Sequence, residues 1–270
     1  MPRLNPKRIA AFRRKILRFY KRHGRDLPFR RTCDPYRIAV AEIMLQQTQV
    51  ERVVPKYESW VARWPDWQTL AEATTRQLLA MWSGLGYNRR ALYLGKLARD
   101  VVENHGGVLP SDPSVLVSLP GIGPYTAHAI LIFAFNRPLV TIDTNVRRVL
   151  LHEFGLPATC ARSKIEALAG QLLPKHRSRD WHNALMDYSN LALPKKIFGI
   201  PPLTRQTRFV GSTRQIRGAI IRQLTHRKKV PLAEIAGELG RSVEDVRSAA
   251  ESMAREGIVV VRKGKIGLTN

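Results

Sequence analysis

Residues 119–127 have the sequence LPGIGPYTA, in which two glycines, Gly121 and Gly123, stand one residue apart between two prolines. Prolines and glycines this close together cannot continue a helix, and they predict a tight turn whose backbone can approach another molecule. The residues that follow, 125–135, are apolar on almost every side, which is typical of a helix buried inside a domain. Such a turn offers backbone N–H groups that can bind an anion such as phosphate. An ordinary joint between two helices has the same local pattern, so the choice depends on the rest of the chain.

The net charge favours a polyanionic partner. The 270 residues include 45 Lys and Arg against 21 Asp and Glu, a formal charge of +24. Residues 1–211 hold 33 basic and 15 acidic side chains, and residues 212–270 hold 12 and 6, so both parts can contact the same polyanion. Nucleic acid is the first candidate. A protein of the membrane surface is disfavoured, because the charge is not concentrated on one amphipathic helix.

The cysteines and the apolar segments indicate the compartment. Only Cys33 and Cys160 occur, without the spacing of a disulfide framework or a metal site, which is typical of a reducing environment. The sequence shows neither an N-terminal apolar segment nor an apolar run of membrane-spanning length. We therefore expect a monomeric, cytoplasmic protein without a membrane segment.

Helical periodicity extends over most of the chain and predicts an all-α fold. Helices are expected at 7–23, 35 to about 54, 69–82, 88–104, 112–118, 125–135, 146–154, 162–173 and 180–193, and strand-like alternation is lacking in 1–195.

A second pattern follows residues 194–213, a basic stretch without periodicity that indicates a linker. It consists of helices at 214–225, 232–239 and 243–256 and a hairpin at 258–268 with a basic glycine turn. This order is typical of the winged helix-turn-helix, a frequent DNA-binding module that also mediates protein contacts. The predicted domains are a helical domain over 1–193, the linker, and a small winged domain over 214–270.

Two carboxylates occupy positions suited to acid–base chemistry. Glu42 lies in a predicted helix near Ile38, Ala39 and Leu45, where burial would raise its pKa and let it donate a proton near neutral pH. Asp143 directly precedes a predicted helix as its N-cap, where the helix end would keep the carboxylate ionised. A partly exposed glutamate and a purely structural cap are the alternatives.

Four motifs occur in order: AEIMLQQTQV around Glu42, GLGY at 84–87, LPGIGPYTA at 119–127 and IDTNVRRVL at 142–150. Together they resemble the helix-hairpin-helix/Gly-Pro/Asp superfamily of DNA glycosylases and, within it, the adenine glycosylases of MutY type. The resemblance covers about residues 8–193. It implies an all-α, two-lobed domain with a base pocket between the lobes, acting on double-stranded DNA that contains a mispaired or damaged base.

The resemblance also assigns roles to single residues. Enzymes of this type flip a nucleotide out of the duplex and cut its N-glycosidic bond. Glu42 matches the acid that protonates the departing base, and Asp143 matches the carboxylate that stabilises the oxocarbenium-like sugar. Tyr125 and Asn145 match residues on the sugar side of the site.

Other matching positions imply contacts with DNA. The backbone at Gly121, Gly123, Tyr125 and Thr126 matches the phosphate-binding hairpin, where the resemblance also allows a monovalent cation. Positions that recognise bases or wedge into the stack are matched by Arg30, Gln46, Gln47, Tyr87 and Asn183. Phe29 stands before Arg30 where the family usually has Trp, and Asn183 stands where it often has Glu or Gln.

The identity of residue 125 bears on the reaction. Relatives with strand-cleaving lyase activity place a lysine there, because an amine is needed to form a Schiff base with the sugar. Tyr125 therefore predicts a monofunctional glycosylase.

The sequence departs from the family in two ways. Most relatives carry four cysteines after this domain, which bind a [4Fe–4S] cluster, whereas the corresponding stretch, 189–196, has none. We therefore expect neither an iron–sulfur cluster nor another metal site. The family's usual C-terminal domain, which helps to recognise oxidised guanine, gives way to the predicted winged domain.

The target base consequently stays open. The run Leu45–Gln49 follows the adenine enzymes, which favours adenine opposite 8-oxoguanine or G. Tyr125, Asp143 and the stretch 186–189 also resemble archaeal-type thymine glycosylases, which favours thymine or uracil opposite G. A non-catalytic DNA-binding or regulatory protein is the third possibility, and the presence of both Glu42 and Asp143 argues against it.

Overall fold

The computed structural model describes residues 4–194 and 211–269, and in these ranges the chain is mostly helical. In chain order the helices are α1 Pro6–His23, α2 Pro35–Leu45, α3 Val50–Arg63, α4 Trp67–Ala71, α5 Thr75–Trp82, α6 Arg89–His105, α7 Pro113–Ser118, α8 Pro124–Phe133, α9 Thr144–Phe154, α10 Arg162–Leu172, α11 Ser178–Leu191, α12 Thr213–His226, α13 Leu232–Leu239 and α14 Val243–Arg255. The helical fold is thereby confirmed. None of the helices in the described ranges is long and apolar enough to cross a membrane.

A small antiparallel sheet lies within the last sixty residues. Its strands are β1 Lys229–Pro231, β2 Val259–Arg262 and β3 Lys265–Leu268, in the spatial order β1-β3-β2. The sequence predicts the hairpin of β2 and β3 but not β1, which is too short to show alternation.

The chain forms two compact units that interleave along the sequence. Within the described ranges, the first unit comprises 4–38, 111–117 and 122–194, and the second comprises 39–110, 118–121 and 211–269. The domain boundaries predicted near 193 and 214 follow the chain order and stay a prediction. Most of the predicted basic linker, from 195 to 210, lies outside the described residues.

The first unit is built around a core shared by α1, α9, α10 and α11. Ile16, Leu150 and Trp181 are among its fully buried members, and Phe12 packs edge-on against Trp181 with ring centroids 5.8 Å apart. Helix α8 packs against α11. The core thus fixes α11 between the first helix of the chain and the helix that begins after Asp143.

The second unit has an aromatic core. Trp60 lies 4.7 Å from Trp64 and 5.5 Å from Trp82, measured between ring centroids, and α4 packs along α6. The C-terminal segment belongs to this unit, because α12 packs against α5. Arg76 of α5 donates hydrogen bonds to the carbonyl oxygens of Leu224 and Arg227 at the end of α12.

Two of the helix predictions are wrong about continuity, because a turn interrupts the helix in each case. The helix predicted over 35 to about 54 ends at Leu45, and α3 begins at Val50, with Gln47 between them at a φ of +54°. The helix predicted over 69–82 is divided into α4 and α5. Thr74 caps α5 by accepting from the Gln77 backbone at 3.3 Å, while the Gln77 side chain accepts from the Thr74 backbone at 2.9 Å.

Candidate functional site

The two glycines of the 119–127 turn are required for different reasons. Gly121 has a φ of +78°, and a Cβ added there would lie 2.7 Å from Cβ of Tyr93. Both the backbone conformation and the available space therefore demand glycine at 121. Gly123, the N-cap of α8, has a φ of −90°, and an added Cβ would meet nothing within 4 Å. The protein itself does not require glycine at 123, and the backbone there is open to an approaching molecule.

The helix after the turn is buried, as the sequence predicts, although it ends at Phe133 rather than at 135. Its first residue is Pro124, and Tyr125 is 38% exposed at the same end. Thr126, one residue further, is buried. Of the residues assigned to the phosphate grip, only Tyr125 therefore presents a large exposed side chain.

Asp143 is the N-cap of α9, which confirms its predicted structural position. One carboxylate oxygen accepts from the Val146 backbone N–H at 2.7 Å, and the other accepts from Nδ2 of Asn145 at 2.9 Å. The structure therefore brings Asp143 and Asn145 together.

The pKa of Asp143 departs from the expectation for a helix cap. Burial raises the pKa of Asp143 above its ordinary value of 3.8, while the hydrogen bonds from Val146 and Asn145 oppose that rise. Burial outweighs these hydrogen bonds, so the pKa shift is opposite in direction to the one expected from the helix end. Its negative charge is formed at a cost that the surrounding protein does not fully offset.

A buried histidine positions the chain just before Asp143. His182 of α11 lies with its Nδ1 2.8 Å from the carbonyl oxygen of Ser178, and its Nε2 accepts from the Thr141 backbone N–H at 3.3 Å. A neutral ring protonated at Nδ1 satisfies both contacts, in agreement with the lowering of the His182 pKa by burial. Sequence reasoning missed this residue, because the backbone N–H that it binds, that of Thr141, is 41 positions away.

Asn183, the predicted base-reading residue, follows directly on α11. Its side chain is 6% exposed, and the amide has no hydrogen-bond partner among the described residues. The arrangement leaves a donor and an acceptor available to a ligand.

Arg30 is held by a buried carboxylate in the first unit. Its Nη1 and Nη2 donate to the two oxygens of Asp187 at 2.7 and 3.0 Å, and Arg25 also binds Asp187 through Nε at 2.7 Å. Burial would raise the pKa of Asp187, but hydrogen bonds and charge from Arg30, together with Arg25, outweigh it and hold the pKa below its ordinary value. This placement gives Arg30 a structural role in addition to its predicted contact with a base.

Glu42 lies in the second unit, on the part of α2 that follows Ile38. Its side chain is half-buried, and its neighbours Ala41, Ile43 and Met44 are fully buried. The apolar surroundings that the sequence predicts are therefore present on one side of the helix. Asp143 belongs to the first unit.

The three predicted wedge residues lie on two loops of the second unit. Gln46 and Gln47 follow α2, and Tyr87 precedes α6. Gln47 and Tyr87 both adopt a positive φ, +54° and +48°, and Tyr87 is 45% exposed. Non-glycine residues rarely adopt this conformation, so both loops need external support.

A buried arginine, Arg90, supplies that support. Its guanidinium donates to six oxygen atoms at 2.6–3.5 Å: the carbonyl oxygens of Ile43, Met44, Gln46, Leu85 and Gly86 and the hydroxyl of Thr48. Burial lowers the pKa of Arg90 to about 10, so the side chain keeps its charge at neutral pH. Arg90 therefore holds both wedge loops at once.

Sequence reasoning missed Arg90, although a signal was present. Helical periodicity places Arg90 on the same face of α6 as Leu94 and Leu97, which are buried. An arginine in a buried stripe requires acceptors, and free backbone carbonyls occur where helices end. The sequence pattern of the buried α6 face therefore points to Arg90.

The cysteines do not fit a four-thiolate cluster. The whole sequence has two, Cys33 and Cys160, and an iron–sulfur cluster of this family needs four. Within the described residues, no group of three or more His, Cys, Asp or Glu side chains could hold a metal ion.

Known proteins similar to this chain act in DNA repair. Residues 40–175 match the HhH-GPD superfamily, described as base excision DNA repair proteins. An adenine DNA glycosylase of Mycobacterium tuberculosis is 34% identical over 233 residues, covering 76% of this chain and 76% of that protein. The human adenine DNA glycosylase is 38% identical over 192 residues, covering 66% of this chain and 35% of the human protein.

Solved structures show the same fold. A thermostable thymine-DNA glycosylase superposes with a TM-score of 0.63 at 29% identity, covering 70% of this chain and 90% of that chain. A trapped covalent complex of endonuclease III with DNA superposes with a TM-score of 0.61 at 18% identity, covering 72% and 90%.

The two turn glycines are expected to respond differently to alanine. Gly121→Ala introduces a side chain at positive φ against Tyr93 and should destabilise the fold by about 2 kcal/mol or more. Gly123→Ala should leave the stability unchanged or raise it by up to about 1 kcal/mol, because the unfolded chain loses freedom. Thermal unfolding of both variants measures the contrast. Equal losses would contradict the distinction drawn between the two positions.

Replacing Arg90 by lysine should loosen both wedge loops. A lysine ammonium keeps the charge but cannot span six acceptors on two loops, and we expect a loss of about 2–4 kcal/mol. Hydrogen exchange should accelerate at the amides of 46–48 and 85–88. Arg89→Lys, at the exposed neighbouring position, is the matched control and should behave as the wild type. Unchanged exchange in Arg90→Lys would show that the loops are held by other contacts.

Asp143→Asn should stabilise the protein at neutral pH. Because the folded pKa is raised, the stability falls as the pH rises from about 3.8 through the folded pKa, and the cost persists above it. Asparagine keeps the cap without the charge, so the gain should be on the order of 1 kcal/mol, or roughly 2–4 °C in Tm, and should shrink towards pH 4.

Asp112→Asn supplies the control for this prediction. Asp112 is an exposed cap whose pKa is lowered by hydrogen bonds from Ser114 and Val115. The same change of charge there should give no gain in Tm at neutral pH. A gain at Asp112 equal to that at Asp143 would mean that the effect reflects net charge alone.

Proposed function

The chain belongs to the HhH-GPD superfamily of base excision DNA repair proteins, and we propose that it is a monofunctional DNA glycosylase that removes adenine mispaired with 8-oxoguanine or G. The observation that carries the choice of base is the similarity to adenine DNA glycosylases over three quarters of the chain. The run Leu45–Gln49, which follows the adenine enzymes, lies inside the matched region. Double-stranded DNA is the partner, and we expect the protein to act as a monomer.

In this proposal Glu42 is the general acid. Its carboxyl group is half-buried beside the buried Ile43 and Met44, and it delivers a proton to the departing base. After the bond has broken, the resulting carboxylate can orient or deprotonate the attacking water. The proton thereby passes from Glu42 to the base and returns from water.

Asp143 is assigned to the sugar. As the glycosidic bond breaks, positive charge develops on the deoxyribose, and an ionised carboxylate stabilises it. The raised pKa of Asp143 supports this role, since a group whose charge is poorly offset by the free protein gains most when a cation forms beside it. Asn145 fixes the carboxylate by its hydrogen bond, and Tyr125 lines the sugar side.

The remaining predicted residues are assigned to DNA binding. The open backbone at Gly123 and the start of α8 bind a phosphate, together with Gly121, Thr126 and a monovalent cation. Gln46, Gln47 and Tyr87 enter the base stack on loops that Arg90 supports. The unpartnered amide of Asn183 bonds the edge of the flipped base, and Arg30 contributes to base recognition from its ion pair.

Two features of the proposal follow from residues that the chain lacks. A tyrosine at position 125 supplies no amine for a Schiff base, which supports base removal without strand cleavage. Two cysteines cannot bind the family's iron–sulfur cluster, so the fold is proposed to be stable without it.

A second candidate substrate is thymine or uracil opposite G. It is favoured by the likeness to a thermostable thymine-DNA glycosylase at 29% identity. The same two carboxylates serve either base, so the substrate must be decided by measurement.

Single-turnover base release distinguishes these possibilities. Duplexes carrying A:8-oxoguanine, A:G, T:G and U:G should be incubated with excess protein, and we expect release of adenine without nicking of the abasic product. Glu42→Gln and Asp143→Asn should each reduce the rate by at least a hundredfold. Release of thymine or uracil alone would establish the second candidate.

Matched variants complete this experiment. Glu51→Gln removes the same charge from an exposed glutamate on α3 and should retain the wild-type rate. Asp112→Asn does the same for an exposed helix cap. Absence of base release in all four duplexes, with DNA binding retained, would instead indicate a DNA-binding or regulatory protein.

A further inference from the structure

The C-terminal segment 211–269 has an uneven distribution of charge. It holds twelve basic and six acidic side chains, and four of the acids are paired with arginines. The pairs are Arg217–Glu256, Arg222–Glu238, Arg227–Glu234 and Arg247–Glu244. These pairs neutralise much of the helical surface, so the excess positive charge lies elsewhere.

Much of that excess lies on the three-stranded sheet. Five basic residues occur in its strands and turns, and no acidic residue does; we call them the basic sheet: Lys228, Lys229, Arg262, Lys263 and Lys265. All five are exposed, and none forms an ion pair with another described residue. Alternation along the strands buries Val230 and Ile266 beneath them. The basic sheet is therefore a solvent-facing surface of one sign.

The geometry of the hairpin turn disfavours the residues it contains. Lys263 and Gly264 form a two-residue turn with φ of +47° and +71°, a conformation that prefers Asn-Gly. A lysine at positive φ costs about 1 kcal/mol. Arg262 and Lys265 stand directly opposite each other in the strand register, where like charges repel. Positive charge is thus concentrated at a place where it weakens the fold.

Helix α14 has the opposite character. It occupies the position of the recognition helix in a winged helix-turn-helix, whose first turn contacts bases. Its first turn here carries Glu244 and Asp245, and Arg247 is paired with Glu244 at 3.4 Å. Carboxylates at this end would be repelled by the phosphates that border the groove. The charge distribution therefore does not suit α14 for entry into DNA.

The sheet is fixed to the rest of the second unit. Arg76 binds the end of α12, directly before β1, and Glu256, near the start of β2, pairs with Arg217. Arg89, two residues after Tyr87, contributes to lowering the pKa of Glu256, so the segment lies near the start of α6. The basic sheet and the Tyr87 loop consequently belong to one compact body.

We propose that the basic sheet binds the phosphate backbone of the duplex and that α14 does not enter a groove. The proposal rests on the proposed function in one respect, that duplex DNA is the substrate. It assigns the C-terminal segment a contact that does not depend on the DNA sequence or on the target base, because every nucleotide has the same phosphate group. The basic residues at the turn are retained at a cost in stability for this contact.

Two double variants of the full chain, each removing two positive charges, test the assignment. Arg262→Gln/Lys265→Gln changes the sheet, and Arg247→Gln/Arg255→Gln changes α14. Affinity for an undamaged duplex is measured by fluorescence anisotropy at several salt concentrations. The sheet variant should weaken binding by roughly an order of magnitude and reduce the slope of log affinity against log salt by about 2, whereas the α14 variant should match the wild type.

Lys263→Asn separates binding from stability. Asparagine suits the turn, so Tm should stay unchanged or rise while affinity and salt slope fall; a merely structural lysine would alter neither binding measurement. A larger loss in the α14 variant, or an unchanged salt slope in the sheet variant, would overturn the proposal. Base release at saturating protein should be unaffected in the α14 variant. If the wild type released no base, the proposed function would be wrong. The comparison of DNA affinities and salt slopes would still decide whether the sheet binds the duplex.

Discussion

The two wedge loops of the second unit depend on the hydrogen bonds that the guanidinium of Arg90 donates. Six oxygen acceptors of the chain converge on it, and they come from the end of α2 and from two loops. These loops hold Gln47 and Tyr87 at positive φ. A planar, permanently charged fork can satisfy several carbonyls in different directions, which a point charge cannot. One buried side chain therefore links both loops to the end of α2.

Three charged groups in this protein show how the surroundings shift the pKa of an ionisable side chain. Asp187 lies between two arginines, and its pKa falls; Arg90 faces neutral carbonyl and hydroxyl oxygens, and burial lowers its pKa to about 10. Asp143 has two hydrogen-bond donors but no cation, and its pKa rises. Only the surroundings of Asp187 favour the charged form of the group, whereas burial disfavours the charge of both Arg90 and Asp143. In the proposed function, the positive charge that offsets Asp143 is the one that develops on the sugar.

The features that the sequence predicts are those set by local chemistry. The glycine turn, the buried α8 and the cap at Asp143 depend on residues within a few positions of one another. The end of the helix before Gln46–Gln49 is not predicted, because the local helical pattern continues through these residues. The side chain that supports this turn is Arg90, more than forty residues later. The Arg30–Asp187 pair and the His182 contact are likewise decided by packing over long separations. The residue types therefore predict the chemistry of the candidate site, whereas the contacts that support its residues can be identified only once the fold is known.

The interleaving of the two units has a consequence for how the chain folds during synthesis. Helix α1 packs against α11, and the Arg25 backbone bonds Asp187, 162 positions away. At a translation rate of roughly 5–20 residues per second, α1 waits on the order of ten to thirty seconds for its partners. During that interval its apolar face, including Phe12 and Ile16, has no core to enter. The ribosome-bound nascent chain therefore passes through a stage in which both units are incomplete, and assistance from chaperones would act there.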